Sequence, residues 1–252
     1  MIGYVEFEFD LPVALLNNLV KVFDEMDGAR LSSENLISIP EAQGVYQLSY
    51  QGFLSYIGKT DAEAGLRKRL ERHTKTIQHR HNLDPCQVTF KAVRVFVFTA
   101  MDIESQLIKY YGGAVPVPWN NSGFGSNDPG RQRDTTNLKP DGFDAQFPID
   151  IDREISLDLP IQLTAATALT GLKDALPYTF RFENAVNRGR KPHPDLVSTE
   201  ITLPQRPYTT RSFIEALTSQ LPYGWQATLL PSRVILYKEN HQYTHGKIIA
   251  TS

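Results

Sequence analysis

The sequence has one cysteine, Cys86, so it can form no internal disulfide and no multi-cysteine zinc site. Cys86 is expected to be a buried small hydrophobe. No apolar run approaches the roughly 18 residues needed to span a bilayer. Glu6, Glu8 and Asp10 stand where a signal peptide would begin with basic residues, so the expected location is cytoplasmic with no membrane partner. A strong charge of one sign is also missing, since the formal net charge is −2, and composition alone therefore does not indicate nucleic-acid binding. With 252 residues, 41% hydrophobic and 21% charged, the chain has the composition of a soluble globular protein. It is long enough for two domains, each burying a core.

The small net charge hides an uneven distribution. Residues 1–41 hold eight acidic side chains against Lys21 and Arg30, whereas residues 59–94 hold nine Lys and Arg against Asp61, Glu63, Glu71 and Asp84. Such a basic segment can attract a phosphate backbone or form a solvated helix face.

Periodicity divides the chain into elements. Residues 1–9 have a strand pattern, and Asp10-Leu11-Pro12 forms an N-cap with proline in the first turn. Leu15, Leu16, Leu19, Val22, Phe23 and Met26 then recur at helical spacing up to Asp27-Gly28. Residues 44–58 alternate apolar and aromatic positions on both sides of Gln51-Gly52, the pattern of a β-hairpin. A helix is expected over residues 62–78, a buried strand over 88–98 and a second helix over 101–111, stopped by Gly112-Gly113. Residues 116–141, rich in Pro, Gly, Asn and Asp, read as a long ordered loop, of a length that is usually functional or disordered. Beyond Pro148, strand, helix and strand patterns over 155–159, 164–175 and 178–182 are echoed over 200–203, 210–220 and 225–230. This echo is either a degenerate βαβ-type repeat or a coincidence of two similar amphipathic units, and a strand at 234–237 closes the region.

The chemistry-bearing residues fall in the middle of the chain. Tyr46 and Tyr56 can share one face of the hairpin if their registers agree. Arg69 and His73, four residues apart, project from one helix face. Glu104 borders the apolar stripe of the next helix, and Asn120 follows Trp119. Taken singly, each has a commonplace role: strand packing, a solvated cation, an idle histidine, a first-turn acid and a turn residue. Together they supply the groups that phosphodiester hydrolysis requires.

In this order they resemble the GIY-YIG nuclease superfamily. The namesake motifs stand as Gly44-Val45-Tyr46 and Tyr56-Ile57-Gly58, Lys68-Arg69-Leu70-Glu71-Arg72-His73 looks like the arginine helix, Glu104 matches the metal-binding glutamate and Trp119-Asn120 the late asparagine. The resemblance covers residues 34–136. Asn82-Leu83-Asp84 and the run from Gly123 through Gly130 look like the branch containing type II restriction endonucleases. An extra Pro-rich turn at 115–118 and residues 150–252 have no counterpart in that branch.

The resemblance implies an α+β fold: a GIY-YIG-like small mixed sheet flanked by helices, with a second α+β C-terminal domain. The implied domains are an N-terminal strand and helix over 1–36, the nuclease over 37–148 and an accessory domain over 149–252. It implies a metal-dependent endonuclease acting on double-stranded DNA, as a homodimer if the target is palindromic. Mg²⁺, or Mn²⁺ in its place, would be held by Glu104. Tyr46 would activate the nucleophile, as phenolate or through a water, with Lys59 as the cation that helps it. Arg69 would stabilise phosphate charge, His73 would share a proton with Tyr46, and Tyr56 and Asn120 would hold the site together. Lys68, Arg72, Lys75, Arg131, Arg133, Arg188, Arg190 and Lys191 are candidate DNA-backbone contacts. A non-cleaving DNA-binding module, or a nuclease of repair, homing or phage defence, remains the alternative.

Overall fold

The structure, a computed structural model, describes residues 3–8, 10–61, 63–96, 102–126, 130–186 and 189–252. The protein is α+β, and its chain divides into two compact units: residues 1–74 with 84–121, and residues 75–83 with 122–252. The expected boundary after residue 148 falls inside the second unit, because residues 122–148 pack there.

The first unit opens with α1 (Leu11–Glu25). Asp10 Oδ1 accepts from the Val13 amide at 3.0 Å, and proline occupies the first turn, so the helix start follows the sequence signal. The strand expected over 1–9 is absent from its described residues, 3–8. Alternation alone makes no strand without a ladder partner, and the edge position beside β4 (Val88–Arg94) is taken by β1 (Ala29–Arg30). The hairpin comprises β2 (Gly44–Tyr50) and β3 (Phe53–Thr60). Gln51 and Gly52 both have positive φ, 53° and 83°, as a two-residue primed turn demands.

The sheet runs β1-β4-β2-β3 and is antiparallel throughout. Among the described residues, mixed strand directions occur in the second unit and not in this sheet. α2 (Leu66–Thr76) and α3 (Ile103–Gly112) complete the first unit, and both are shorter than their expected spans. The strand expected over 88–98 ends at Arg94, and its last expected inward position, Val97, lies outside the described residues. On one sheet face Val45, Ile57 and Val95 pack with Leu19, Val20 and Phe23 of α1, with Ile103 and Leu107 of α3, and with Val117. Burying a side chain such as Phe23 contributes about 2 kcal/mol. Val117 comes from the extra Pro-rich turn, so that insertion fills core space. Cys86 is exposed rather than buried. It sits in the surface 3-10 turn Pro85–Gln87, where Arg30 Nη2 donates to its sulfur at 2.9 Å.

The second unit comprises α4 (Phe143–Gln146), β5 (Glu154–Ile155), β6 (Gln162–Thr164), α5 (Ala165–Ala175), β7 (Thr179–Phe182), α6 (Pro194–Ser198), β8 (Glu200–Thr202), β9 (Tyr208–Thr209), α7 (Thr210–Thr218), β10 (Trp225–Leu230), β11 (Arg233–Lys238) and β12 (Lys247–Thr251). Its main sheet has the order β12-β10-β11-β7, antiparallel except for the parallel pair β11 and β7. Leu169 and Leu172 of α5 and Phe213, Ile214 and Leu217 of α7 bury against Phe180, Trp225, Val234 and Leu236. The expected βαβ repeat is not formed. β6 pairs with β8 and β9 with β5 in separate two-stranded ribbons, so neither helix joins two strands of the main sheet. Buried charge anchors part of the long loop. Asp134, in the 3-10 turn Arg131–Thr135, accepts two bonds from Arg181, at 2.8 and 2.9 Å, and pairs with Arg233 at 3.2 Å.

Candidate active site

β2 is the central strand on which the site is built. Tyr46 pairs with Gly58 on β3, and Leu48 pairs with Tyr56, so both tyrosines share the sheet face opposite Val45 and Ile57. α2 lies on that face. The Tyr46 hydroxyl is 2.7 Å from His73 Nε2, and the Tyr46, Tyr56 and His73 rings stand 5.4 to 6.0 Å apart between centroids. Arg69, one turn before His73, bonds through its guanidinium to the phenols of both Tyr46 and Tyr56. Gly58 makes room for this cluster, because a Cβ there would run into the Tyr46 hydroxyl and ring.

Burial sets the protonation states. Desolvation, followed by the charges of Arg69 and Arg72, depresses the His73 imidazole to about 3, so it is neutral at physiological pH. Burial, reinforced by the Tyr56 phenol and opposed by Arg69, pushes the Tyr46 phenol far above its usual range. Tyr46 is therefore a protonated phenol here, not a phenolate. Its oxygen accepts from Arg69, and we assign its O–H as donor to His73 Nε2. Burial opposes the Arg69 charge, but the two phenols more than offset that and raise its pKa.

Lys59 does not serve Tyr46. One residue beyond Gly58, it points to the opposite side of β3, where Nζ meets Asp102 Oδ1 at 2.7 Å. Asp102 also accepts from Ser105 Oγ at 2.5 Å, and the hydrogen bonds from Lys59 and Ser105 lower its carboxyl to about 2. Glu104 is half-buried. Desolvation raises its pKa, Lys59 and Arg69 oppose that, and Asp102 adds to it. Glu104 therefore lies within the fields of both cations. Asp102 was not singled out from the sequence, although an acid at the residue before a helix and two before Glu104 was the available signal.

Asn120 acts on the backbone of β3. Its Oδ1 accepts from the Ile57 amide at 2.9 Å and its Nδ2 donates to the Ile57 carbonyl at 2.8 Å, while the Trp119 amide donates to Ser55 O at 2.7 Å. Together they satisfy the outer edge of the strand that carries Tyr56. Asn120→Ala should lower first-unit stability by about 1–3 kcal/mol, because both part-buried Ile57 groups lose partners. Urea unfolding should show it as a lower midpoint at unchanged slope, and an unchanged midpoint would refute the clamp.

The candidate backbone contacts differ in availability. On α2, Lys68 and Lys75 are exposed and Arg72 is half-buried, its pKa lowered by burial and by Arg69. In the second unit Arg190 and Lys191 are exposed, whereas Arg188 lies outside the described residues. Arg131 already pairs with Glu183 at 3.0 Å and Glu239 at 2.8 Å and covers the Tyr237 ring. Arg133 pairs with Asp144 at 3.7 Å and donates to Ser126. A phosphate at either arginine would have to displace these partners. In the glycine-rich run, Gly123, Gly125 and Gly130 all have positive φ, and Phe124 is buried against Phe143; residues 127–129 lie outside the described residues.

Among the described residues no three His, Cys, Asp or Glu side chains converge as a metal cluster, and no helix is long and apolar enough to cross a membrane. Glu104 lies within the field of one other carboxylate, Asp102, which is already held by Lys59 and Ser105. Such a site suits a hard cation that keeps most of its waters. Neither the models of known protein families nor the curated proteins give a match to this sequence.

Proposed function

We propose that this protein is a metal-dependent DNA endonuclease of the GIY-YIG type, acting as a sequence-specific restriction endonuclease on double-stranded DNA. The observation that carries the proposal is the arrangement of buried Tyr46, Tyr56 and His73 around half-buried Arg69, with Glu104 half-buried within the field of Arg69. Buried phenols, a neutral imidazole and a guanidinium make an expensive core unless they are used.

In this mechanism Arg69 binds the scissile phosphate and offsets the charge that builds on it. Its planar fork, already fixed by two phenol oxygens, meets the phosphate without reorganising. Tyr46 takes a proton from the attacking water while passing its own to His73 Nε2, so the phenol never carries a full negative charge. The bound phosphodiester adds negative charge beside the imidazole and thereby opposes its depressed pKa. Tyr56 orients Arg69, and Asn120 fixes the β3 backbone. Glu104 would hold Mg²⁺ or Mn²⁺, which when bound supplies Lewis-acid polarisation of the phosphate.

The test is incubation of the purified protein with mixed DNAs and Mg²⁺ or Mn²⁺, followed by mapping of the ends. Cuts at one short palindrome are expected, with a two-fold homodimer to match. Scattered or structure-dependent cuts would instead favour repair, homing or defence. Tight metal-independent binding without cleavage would favour a DNA-binding module.

A further inference from the structure

Arg94 and Phe96 lie beyond the site just described and have no role in it. Gly44 pairs with Arg94 on β4 and with Thr60 on β3, whereas Tyr46 pairs with Ala92 and Gly58. Ladder partners and residues two apart share a sheet face, so Arg94 lies on the face of Tyr46, about 7 Å along the strand. The Arg94 guanidinium carbon stands 4.3 Å from the centroid of the Phe96 ring. Phe96 itself is 76% exposed.

The backbone that carries this aromatic is fixed. Gln43 Nε2 donates to the carbonyls of Val95 and Phe96, at 3.1 and 3.5 Å, the Val95 amide donates back to Gln43 O, and the Val95 side chain is buried in the core. The cation covers one face of the ring, and the high exposure leaves the rest accessible. An aromatic plane with an arginine beside it, on a face that also carries Arg69 and Arg72, suits a nucleobase on an anionic backbone.

We propose that Phe96, backed by Arg94, is a DNA contact in which the ring stacks on a nucleobase near the phosphate bound at Arg69 and the guanidinium meets the adjoining backbone. This rests on the nuclease reading. Phe53 provides an internal control. It is 77% exposed but pairs with Tyr50, at the opposite end of the same sheet.

The test uses the full chain carrying Glu104→Gln, so that DNA stays intact, with a fluorescein-labelled mixed-sequence duplex followed by anisotropy in Mg²⁺. Adding Phe96→Ala should weaken binding about 10-fold or more, and Phe96→Trp should stay near the parent. Arg94→Ala should lower the salt slope by about one. Phe53→Ala should bind as the parent does. If Phe96→Ala binds like the parent, or Phe53→Ala loses as much, the contact is refuted and the nuclease reading stands. If the parent does not bind duplex and the wild type does not cut it, both fall together.

Discussion

Replacing Arg69 by alanine, or Glu104 by glutamine, is expected to lower the Mg²⁺-dependent DNA cleavage rate by about 10²–10³-fold or more. The two losses have different origins. Arg69 bonds the phenols of Tyr46 and Tyr56, so its removal would take away the cation proposed to bind phosphate together with the group that orients the two tyrosines. Arg69→Lys retains a charge but not the fork that serves two oxygens, so it should recover little of the rate. Glu104→Gln keeps the shape and removes the ionised oxygen. Because burial already raises the Glu104 pKa, the neutral amide should be tolerated by the fold. Single-turnover rates measured with unfolding midpoints separate chemistry from stability. Cleavage that persists in Glu104→Gln at the wild-type rate would sink the metal assignment.

Much of this arrangement was legible in the sequence because it depends on short-range periodicity. The positions of Tyr46 and Tyr56 follow from a two-residue turn and period-two strands, and the Arg69–His73 pair follows from helical spacing. What the sequence could not show was the consequence of burial. Lys59 follows directly on the glycine of the second motif, yet one step along a strand turns it to the opposite face and to Asp102. Tyr46 has no neighbour in sequence that reveals how completely it is enclosed, so its protonation state emerges only from packing. The same holds in the second unit. Helix and strand patterns over 155–182 and 200–230 suggested a βαβ repeat, but which strands share a sheet is decided by long-range pairing that alternation does not encode. Arg131 and Arg133 looked like backbone contacts because nothing local revealed Glu183, Glu239 or Asp144 as their partners.

Acid should destabilise the first unit largely through His73. Its folded-state pKa is about 3, against about 6.5 unfolded. The unfolded chain therefore binds more protons between those values. The stability that comes from keeping the imidazole neutral is fully present above about pH 6.5 and is lost as the pH falls towards 3. From pH 7 to 4.5 the difference amounts to roughly 2–3 kcal/mol. His73→Gln retains an amide that can bond the Tyr46 hydroxyl but cannot titrate in this range, so it should unfold with a flatter pH dependence even if it is less stable at pH 7. Carboxylates such as Asp102 and Glu104 titrate in both proteins, so their effects cancel in the comparison. The measurement is urea unfolding at the two pH values in a Trp225→Phe background. Trp119, the other of the two tryptophans, then reports the first unit alone. Equal losses in wild type and His73→Gln would show that the imidazole is not held neutral by burial, and the proton path from Tyr46 to His73 Nε2 would lose its acceptor.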